Sequence, residues 1–308
     1  MKTWKFLAAV ALTAVALQAQ SPQAVPLKLI QTLQFSGDVK GHFDHFGVDI
    51  PHERLFTTPE DSASVIVFNL NTGAEMCKIE GIGKPHAVLY RADLNRIYVT
   101  DGDTGALKIF DGSTYKPLGI VKLLVDADSI GYDPVSKYLY IDNGGGDAHQ
   151  EYSMLSVVDT TLGKKLADIK IDGDTLEAMA LEKMTPRLYV NNPAKNQIDV
   201  VDRTNRTIVA TWPITKGKKN VAMALDEKNH RLFTACRSGQ IVVVDTQNGK
   251  ELQALAIVSG VDDFTFNEQS KRLYASGDGE VDFITRRTPI TTSCWQRRLL
   301  LQAAGPRD

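Results

Sequence analysis

The feature of the sequence that most constrains the fold is a short motif that recurs six times along 308 residues. Each copy is a run of apolar and β-branched residues, and five of the six copies open on an arginine. The copies begin at Arg54, Arg96, Tyr138, Arg187, Arg231 and Arg272 and lie 41 to 49 residues apart. A period in the forties without a helical pattern is typical of β-propeller blades, because a β-sandwich would not keep such a period and a β-helix would use a much shorter one.

Each repeat unit carries the residues for four strands. A short apolar run such as IGYD (130–133) precedes the motif, the motif is the second strand, LKIFD (107–111) is a third strand, and a fourth follows a turn such as NTG (71–73). Short β-branched runs separated by Gly, Asp and Asn favour antiparallel hairpins. One such sheet cannot bury both of its faces, so blades must stack around an axis. We therefore predict an all-β fold, a β-propeller of four-stranded antiparallel blades.

Two of the motifs indicate a family. IYVTD (97–101) and LYVNN (188–192) are each followed by a third strand that ends in FD or VD. This pattern resembles the YVTN repeats of bacterial YncE-like β-propellers, over roughly residues 27–285. The resemblance implies a seven-bladed type of ring, of which six blades are recognisable here and the last is truncated, and it implies no particular reaction. The WD40 family is less similar, because its GH and WD signatures are missing.

The two ends of the repeat region carry further expectations. LKLIQTLQF (27–35) is predicted to be a lone fourth strand that completes the last blade. After Asp282 the repeat stops, and residues 286–308 form an Arg-rich tail without the pattern, although a seventh blade would need about 40 more residues. When the tail is back-translated with suitable codons and the resulting DNA is read in a frame shifted by two bases, the new translation resembles the family's continuation. Our hypothesis is a frameshift, the alternative is a natural short tail, and resequencing the locus distinguishes them.

An incomplete ring is the structural consequence that we expect from an altered tail. Such a ring would be less stable than a closed homologue and would leave a strand edge open to aggregation.

Residues 1–19 have the layout of a secretory signal peptide. Lys2 and Lys5 precede an apolar run from Phe6 to Leu17, and small and polar residues follow. An apolar run of 12 residues is shorter than the roughly 20 needed to span a bilayer. We therefore predict cleavage after Ala19 and a periplasmic or secreted protein with no membrane span after the signal is removed.

Composition and motifs disfavour several classes of partner and of active site. With 35 basic and 37 acidic residues, the net charge of -2 gives no overall field for a phosphate backbone, so nucleic acid is not favoured as a partner. The three cysteines are too scattered for a disulfide framework, and Cys77 and Cys236 are interpreted as small buried hydrophobes. The glycine-rich NGGGDAH (143–149) is predicted to be a hairpin insertion rather than a phosphate loop, because no helix follows it. The sequence contains no HExxH, CxxC or GxSxG motif.

The candidate site comes from aligning the repeat units on their motifs. One polar residue lies nine to eleven positions before each motif, where the innermost strand begins. These residues are His45, His86, Asp128, Glu177, Asn220 and Asp263. We predict that they ring one mouth of the central channel, with His42, Asp44, Asp126 and Asp262 beside them.

Two interpretations of this ring stay open. Innermost strands begin at polar turns that face a water-filled channel, so polar residues are inexpensive there. Alternatively, the converging side chains bind a ligand on the axis, as in other barrel mouths. Histidine mixed with carboxylate suits a divalent cation, and carboxylates alone suit a cationic or polyhydroxylated ligand. His42 and His45 point to opposite faces of an extended segment and are not expected to share one ion.

The sequence thus favours an exported binding or scaffold propeller, more consistent with a non-catalytic role than with an enzyme, that takes a small molecule or a protein at the channel mouth. One alternative is a propeller hydrolase, such as a lactonase, or a lyase in which a channel cation polarises the substrate. A second alternative, single-stranded DNA binding, is implied by the family resemblance alone. The ligand and the metal content are not fixed by the sequence.

Overall fold

The computed structural model describes residues 29–39, 41–287 and 294–302, so the predicted signal peptide lies outside the described residues. Their strands form six four-stranded antiparallel sheets, and the strands of each sheet follow chain order. The first strands of successive blades contact one another, which places them on the inside of the ring. Within the described part, no helix is long and apolar enough to cross a membrane.

The strands are numbered in chain order, four to a blade. Blades one to three contain β1 Gly47–Asp49, β2 Arg54–Thr57, β3 Ser64–Asn69, β4 Glu75–Glu80, β5 Pro85–Arg91, β6 Arg96–Asp101, β7 Ala106–Asp111, β8 Pro117–Lys122, β9 Ile130–Asp133, β10 Tyr138–Gly144, β11 Tyr152–Asp159 and β12 Lys164–Asp172. Blades four to six contain β13 Met179–Leu181, β14 Arg187–Asn192, β15 Gln197–Asp202, β16 Thr207–Pro213, β17 Asn220–Asp226, β18 Arg231–Cys236, β19 Gln240–Asp245, β20 Glu251–Ala256, β21 Val261–Asn267, β22 Arg272–Gly277, β23 Glu280–Arg287 and β24 Cys294–Gln302. Short 3₁₀ turns span Glu60–Ser62, Gly145–Ala148 and Glu227–Asn229.

The recurring motif is the second strand of every blade, which confirms the predicted fold class. In β6, Ile97 and Val99 pack towards blade one, while Tyr98 packs towards blade three. Both faces of the strand are buried, and this explains why the motif is a continuous apolar run instead of an alternating one. The predicted hairpin insertion at residues 143–149 joins β10 to β11.

Five apolar cores join the six blades in succession, from blade one to blade six. The third residue of the motif is aromatic in every copy, and in the first five copies it packs towards the following blade. It is fully buried in the first five copies, which are Phe56, Tyr98, Tyr140, Tyr189 and Phe233. In the sixth copy, Tyr274 is half-buried, so the junction between blade six and blade one differs from the five others.

Residues 29–39 cover the face of blade one that points away from blade two. The Phe35 ring meets the Phe68 ring edge-on at 5.0 Å and stacks on Phe43 at 5.4 Å. Both the backbone N–H and the hydroxyl of Ser36 donate to the Glu75 carboxylate at 2.8 Å. Residues 29–35 form no strand, contrary to the lone fourth strand predicted for residues 27–35. At the end of this stretch, Phe35 packs on blade one through its ring instead.

The outermost strand of blade six comes from the tail. β24 pairs antiparallel with β23, so blade six has four strands in the described backbone, although its repeat pattern stops after Asp282. An outermost strand is held through backbone groups along one edge, and this pairing places few demands on its sequence. With that edge occupied, the N-terminal segment has no open strand of blade six to pair with. The frameshift remains a hypothesis.

We expect Phe35→Ala to lower the free energy of unfolding by about 2 kcal/mol, roughly half the loss typical of a core phenylalanine, because it uncovers Phe68. Ile30→Ala is the matched control, since the Ile30 side chain is 91% exposed, and it should change stability by less than about 0.5 kcal/mol. Urea unfolding followed by circular dichroism measures both variants. Equal stabilities for the two would show that the segment does not hold blade one.

Candidate functional site

Backbone hydrogen bonds, some between neighbouring blades and some within one blade, fix the positions where the innermost strands begin. The amide of His45 donates to the carbonyl of His86 in the next blade at 3.0 Å. The amide of Asp128 donates to the carbonyl of Asp142 on β10 at 3.1 Å. Side chains from three successive blades are thereby brought to one end of the channel. A Cβ atom at Gly102, which follows β6, would come within 2.5 Å of the His86 Nε2 atom, so this glycine leaves room for the imidazole.

Asp44, His86 and Asp128 form the centre of the site. The His86 Nδ1 atom lies 2.5 Å from an oxygen of Asp44 and 3.8 Å from Asp128 Oδ1. Each of the three residues offers one potential ligand atom, and these atoms all lie within 4.8 Å of one another. His45 lies beside them, with its Nε2 atom 3.4 Å from Asp44 and 3.2 Å from the Ser129 hydroxyl. The arrangement is a mixed carboxylate and imidazole cluster.

Two carboxylates in this region have an enclosed oxygen without a hydrogen-bond partner among the described residues. These oxygens are Oδ1 of Asp128 and Oδ1 of Asp142. Asp142 is only 2% exposed, and its backbone carbonyl is bonded to Asp128. A buried polar atom left unpaired costs free energy, so such atoms are rare in folded proteins and call for a ligand or a proton. Both oxygens could accept a proton or a hydrogen bond or could ligate a cation.

The charges at the centre are strongly coupled. Burial and the neighbouring Asp44 carboxylate raise the pKa of Asp128 to about 7, against the attraction of His45 and His86. Burial would by itself lower the pKa of His86, but its hydrogen bond to Asp44 and the charge of Asp128 raise that pKa to about 9. Burial by itself would raise the pKa of Asp44. The hydrogen bond from His86 and the charges of the two histidines outweigh burial, so the pKa of Asp44 is lowered. At neutral pH His86 is therefore cationic, Asp44 is anionic and Asp128 is close to its midpoint.

Further carboxylates surround this centre. Burial and then the charge of Asp128 raise the pKa values of Asp142 and Glu177 well above the ordinary range. Burial and then the charge of Asp147 raise the pKa of Asp126. Carboxylates thus accumulate at this mouth in a low-dielectric setting, which favours binding of a cation over an anion.

The structure brings three of the six predicted site residues together, namely His45, His86 and Asp128. Glu177 lies farther round the mouth, 3.8 Å from the Arg237 guanidinium. Asp263 is exposed, and its carboxylate accepts a hydrogen bond from the Phe264 amide at 2.7 Å.

Asn220 differs from the other predicted residues. It is fully buried, and its side-chain amide donates to the Asn191 side chain and to the Gln197 carbonyl, each at 2.8 Å. These bonds tie blade five to blade four, so Asn220 has a structural role that its alignment with the others does not reveal.

Asp142 was not among the predicted residues. It is the fifth residue of its motif, and the fifth residue is also polar in the copies that contain Thr58, Thr100 and Asn191. This repeated polar position inside an otherwise apolar strand is the signal that could have identified it. Asp44 is next to His45 in the sequence and was predicted as a neighbour, but it is central to the cluster.

Comparison with curated proteins supports the predicted resemblance. An uncharacterized YncE protein of Salmonella typhimurium is 26% identical over 183 residues, which are 56% of this chain and 50% of that protein. An uncharacterized YncE protein of Salmonella typhi is 28% identical over 127 residues, which are 40% of this chain and 35% of that protein. The matches thus span half or less of the length of these relatives. No family model matches the chain.

Among solved structures, the hydrazine synthase of Kuenenia stuttgartiensis is similar in fold. It superposes with a TM-score of 0.70 at 14% sequence identity, covering 84% of this chain and 80% of the other. At this identity the likeness concerns the fold alone. The chain is therefore a β-propeller that is similar in sequence to YncE proteins over part of its length, and its function has to be argued from its own residues.

We expect Asp128→Asn to raise the melting temperature at pH 8 by about 4 °C or more and to change it little at pH 4, in buffer with a chelator. The folded-state pKa of about 7 lies above that of an unfolded aspartate, so stability contributed by this group is lost as pH rises towards 7. Asparagine does not ionise and escapes this loss. Scanning calorimetry at both pH values measures the effect.

Asp172→Asn is the matched control, because the Asp172 side chain is 84% exposed, and it should leave both melting temperatures unchanged. A lower melting temperature for Asp128→Asn at pH 8 would show that attraction to the histidines outweighs burial of the charge.

Proposed function

We propose that this chain is an exported β-propeller binding protein that holds a divalent cation at the mouth of its channel. Asp44, His86 and Asp128 would supply the ligand atoms. The observation that carries the proposal is the enclosed Asp128 Oδ1 atom, which has no hydrogen-bond partner in the described structure and lies 3.8 Å from a second potential ligand, His86 Nδ1. Export is supported by the signal-like N-terminal sequence.

The donor set favours a transition-type metal over calcium. Imidazole suits zinc and related ions, whereas calcium takes oxygen ligands and more of them. Two carboxylates and one imidazole resemble the three protein ligands of sites that keep an open position for water or substrate. Binding would require His86 to release its proton, and the cation would then replace the hydrogen-bonded proton between His86 and Asp44.

The residues of this site support the two alternative functions to different degrees. A hydrolase or lyase would use the same cation as a Lewis acid, and that alternative stays a prediction. Single-stranded DNA gains no support from the mouth, because clustered carboxylates repel the phosphate backbone that provides most of the affinity in such complexes. Binding of a cation requires only the three ligand residues already described, whereas catalysis would require further groups that act on a substrate.

We expect the mature protein, stripped with a chelator, to bind one Zn²⁺ per chain and to bind Ca²⁺ far more weakly. Asp128→Asn and His86→Gln should each weaken Zn²⁺ binding at least tenfold, because each removes one of three ligands. Isothermal titration calorimetry measures affinity, and elemental analysis measures stoichiometry.

His42→Gln is the control for these variants, since the nearby His42 side chain is exposed and lies outside the cluster. Circular dichroism checks that each variant is folded. Undiminished Zn²⁺ binding by the Asp128 and His86 variants would overturn the proposed site, as would a protein that binds no Zn²⁺.

A further inference from the structure

A cavity of about 1040 Å³ opens beside the channel mouth, at the junction between blade six and blade one. One wall is aromatic and belongs to the segment before β1. Phe43 and Phe46 form this wall, with ring centres 5.9 Å apart in an edge-to-face arrangement. Their side chains are 36% and 49% exposed. Exposed aromatic groups rimmed by polar residues commonly mark a binding site.

The aromatic wall is held in place from behind. Phe35 stacks on Phe43 at 5.4 Å and also meets Phe68, which is fully buried in blade one. The ring of Phe43 is therefore fixed before any ligand arrives, and a ligand would lose little affinity in ordering it.

The opposite wall is acidic and comes from blade six. It includes Asp262, Asp263 and Asp278. The Arg237 guanidinium pairs with Asp262 at 2.6 Å, and the Ser259 hydroxyl donates to Asp278 at 2.7 Å. No ion pair of Asp263 occurs among the described residues, and its carboxylate accepts a hydrogen bond from the amide of Phe264. Asp263 thus presents a negative charge to the cavity.

We propose that this cavity binds a small organic cation, a molecule that carries an ammonium group on an aromatic or aliphatic body. The ammonium group would lie near Asp263, and the body would pack on Phe43 and Phe46. A cation next to an aromatic face gains further attraction, and the cavity has the volume of a site for a drug-sized molecule. An organic anion would be repelled, because carboxylates outnumber Arg237 in the lining.

This inference goes beyond the proposed cation site and does not depend on it. The two sites have Asp44 in common as a neighbour, because Asp44 also lines the cavity. The cavity's acidic and aromatic groups named above are separate from His86 and Asp128. Loss of one binding activity can therefore be separated from loss of the other.

The test uses two probes of similar shape and opposite charge, 4-phenylbutylamine and 4-phenylbutanoate, with the mature protein in buffer containing a chelator. We expect saturable binding of the amine and none of the acid, measured by calorimetry or ligand-observed NMR. Phe46→Ala and Asp263→Asn should each weaken amine binding at least about fivefold. Both side chains are exposed, so both variants should fold.

Ile120→Ala and Asp172→Asn are matched controls on outer strands, where the side chains are 69% and 84% exposed, and neither should change amine binding. Asp128→Asn should leave amine affinity within about twofold while it weakens Zn²⁺ binding. The proposal is overturned by equal binding of amine and acid, by undiminished amine binding in the Phe46 and Asp263 variants, or by no saturable amine binding below about 10 mM, as expected if another part of the chain fills the cavity.

Discussion

Apolar packing between neighbouring blades is the interaction on which the rest of the structure depends. A four-stranded sheet of short strands has two faces, and both become buried when each blade packs between two others. The aromatic third residue of the motif packs on the following blade, and the second residue packs on the preceding one, as Tyr98 and Ile97 do. Because this contact is repeated five times, small differences at one blade do not alter the ring. The innermost strands are consequently held at fixed positions around the channel.

Because the ring is rigid, it can hold like charges close together at the channel mouth despite their electrostatic repulsion. The half-buried Asp128 and the buried Asp142 each have an oxygen without a hydrogen-bond partner among the described residues, and their raised pKa values express the cost of ionising them there. A site that is destabilised without its ligand is common where binding matters, because a cation then gains from relieving the repulsion.

The sequence predicted the blades well because they are periodic, and it predicted the site in part. All six motifs became second strands, and His45, His86 and Asp128 came together as their alignment indicated. Asn220 occupies an equivalent position in the sequence, but its hydrogen bonds to blade four depend on neighbours that no alignment of the repeats shows. The packing of Phe35 on Phe68 was likewise out of reach, because Phe35 lies outside the repeat units and has no equivalent in the other blades.

Departures from the repeat coincide with the features that carry chemistry. Five junctions have the same apolar core, and at the sixth Tyr274 is half-buried while a cavity lies between Asp263 and the phenylalanines before β1. Blade six carries Asp262 and Phe264 at the positions of Asp44 and Phe46, so blade one departs from it at Phe43, which stacks on Phe35, and at His45. In a ring of nearly identical blades, an asymmetric binding site requires residues that differ from their equivalents in the other blades. The junction between blade six and blade one supplies such residues for the cavity, whereas the cluster of Asp44, His86 and Asp128 draws them from the starts of blades one, two and three.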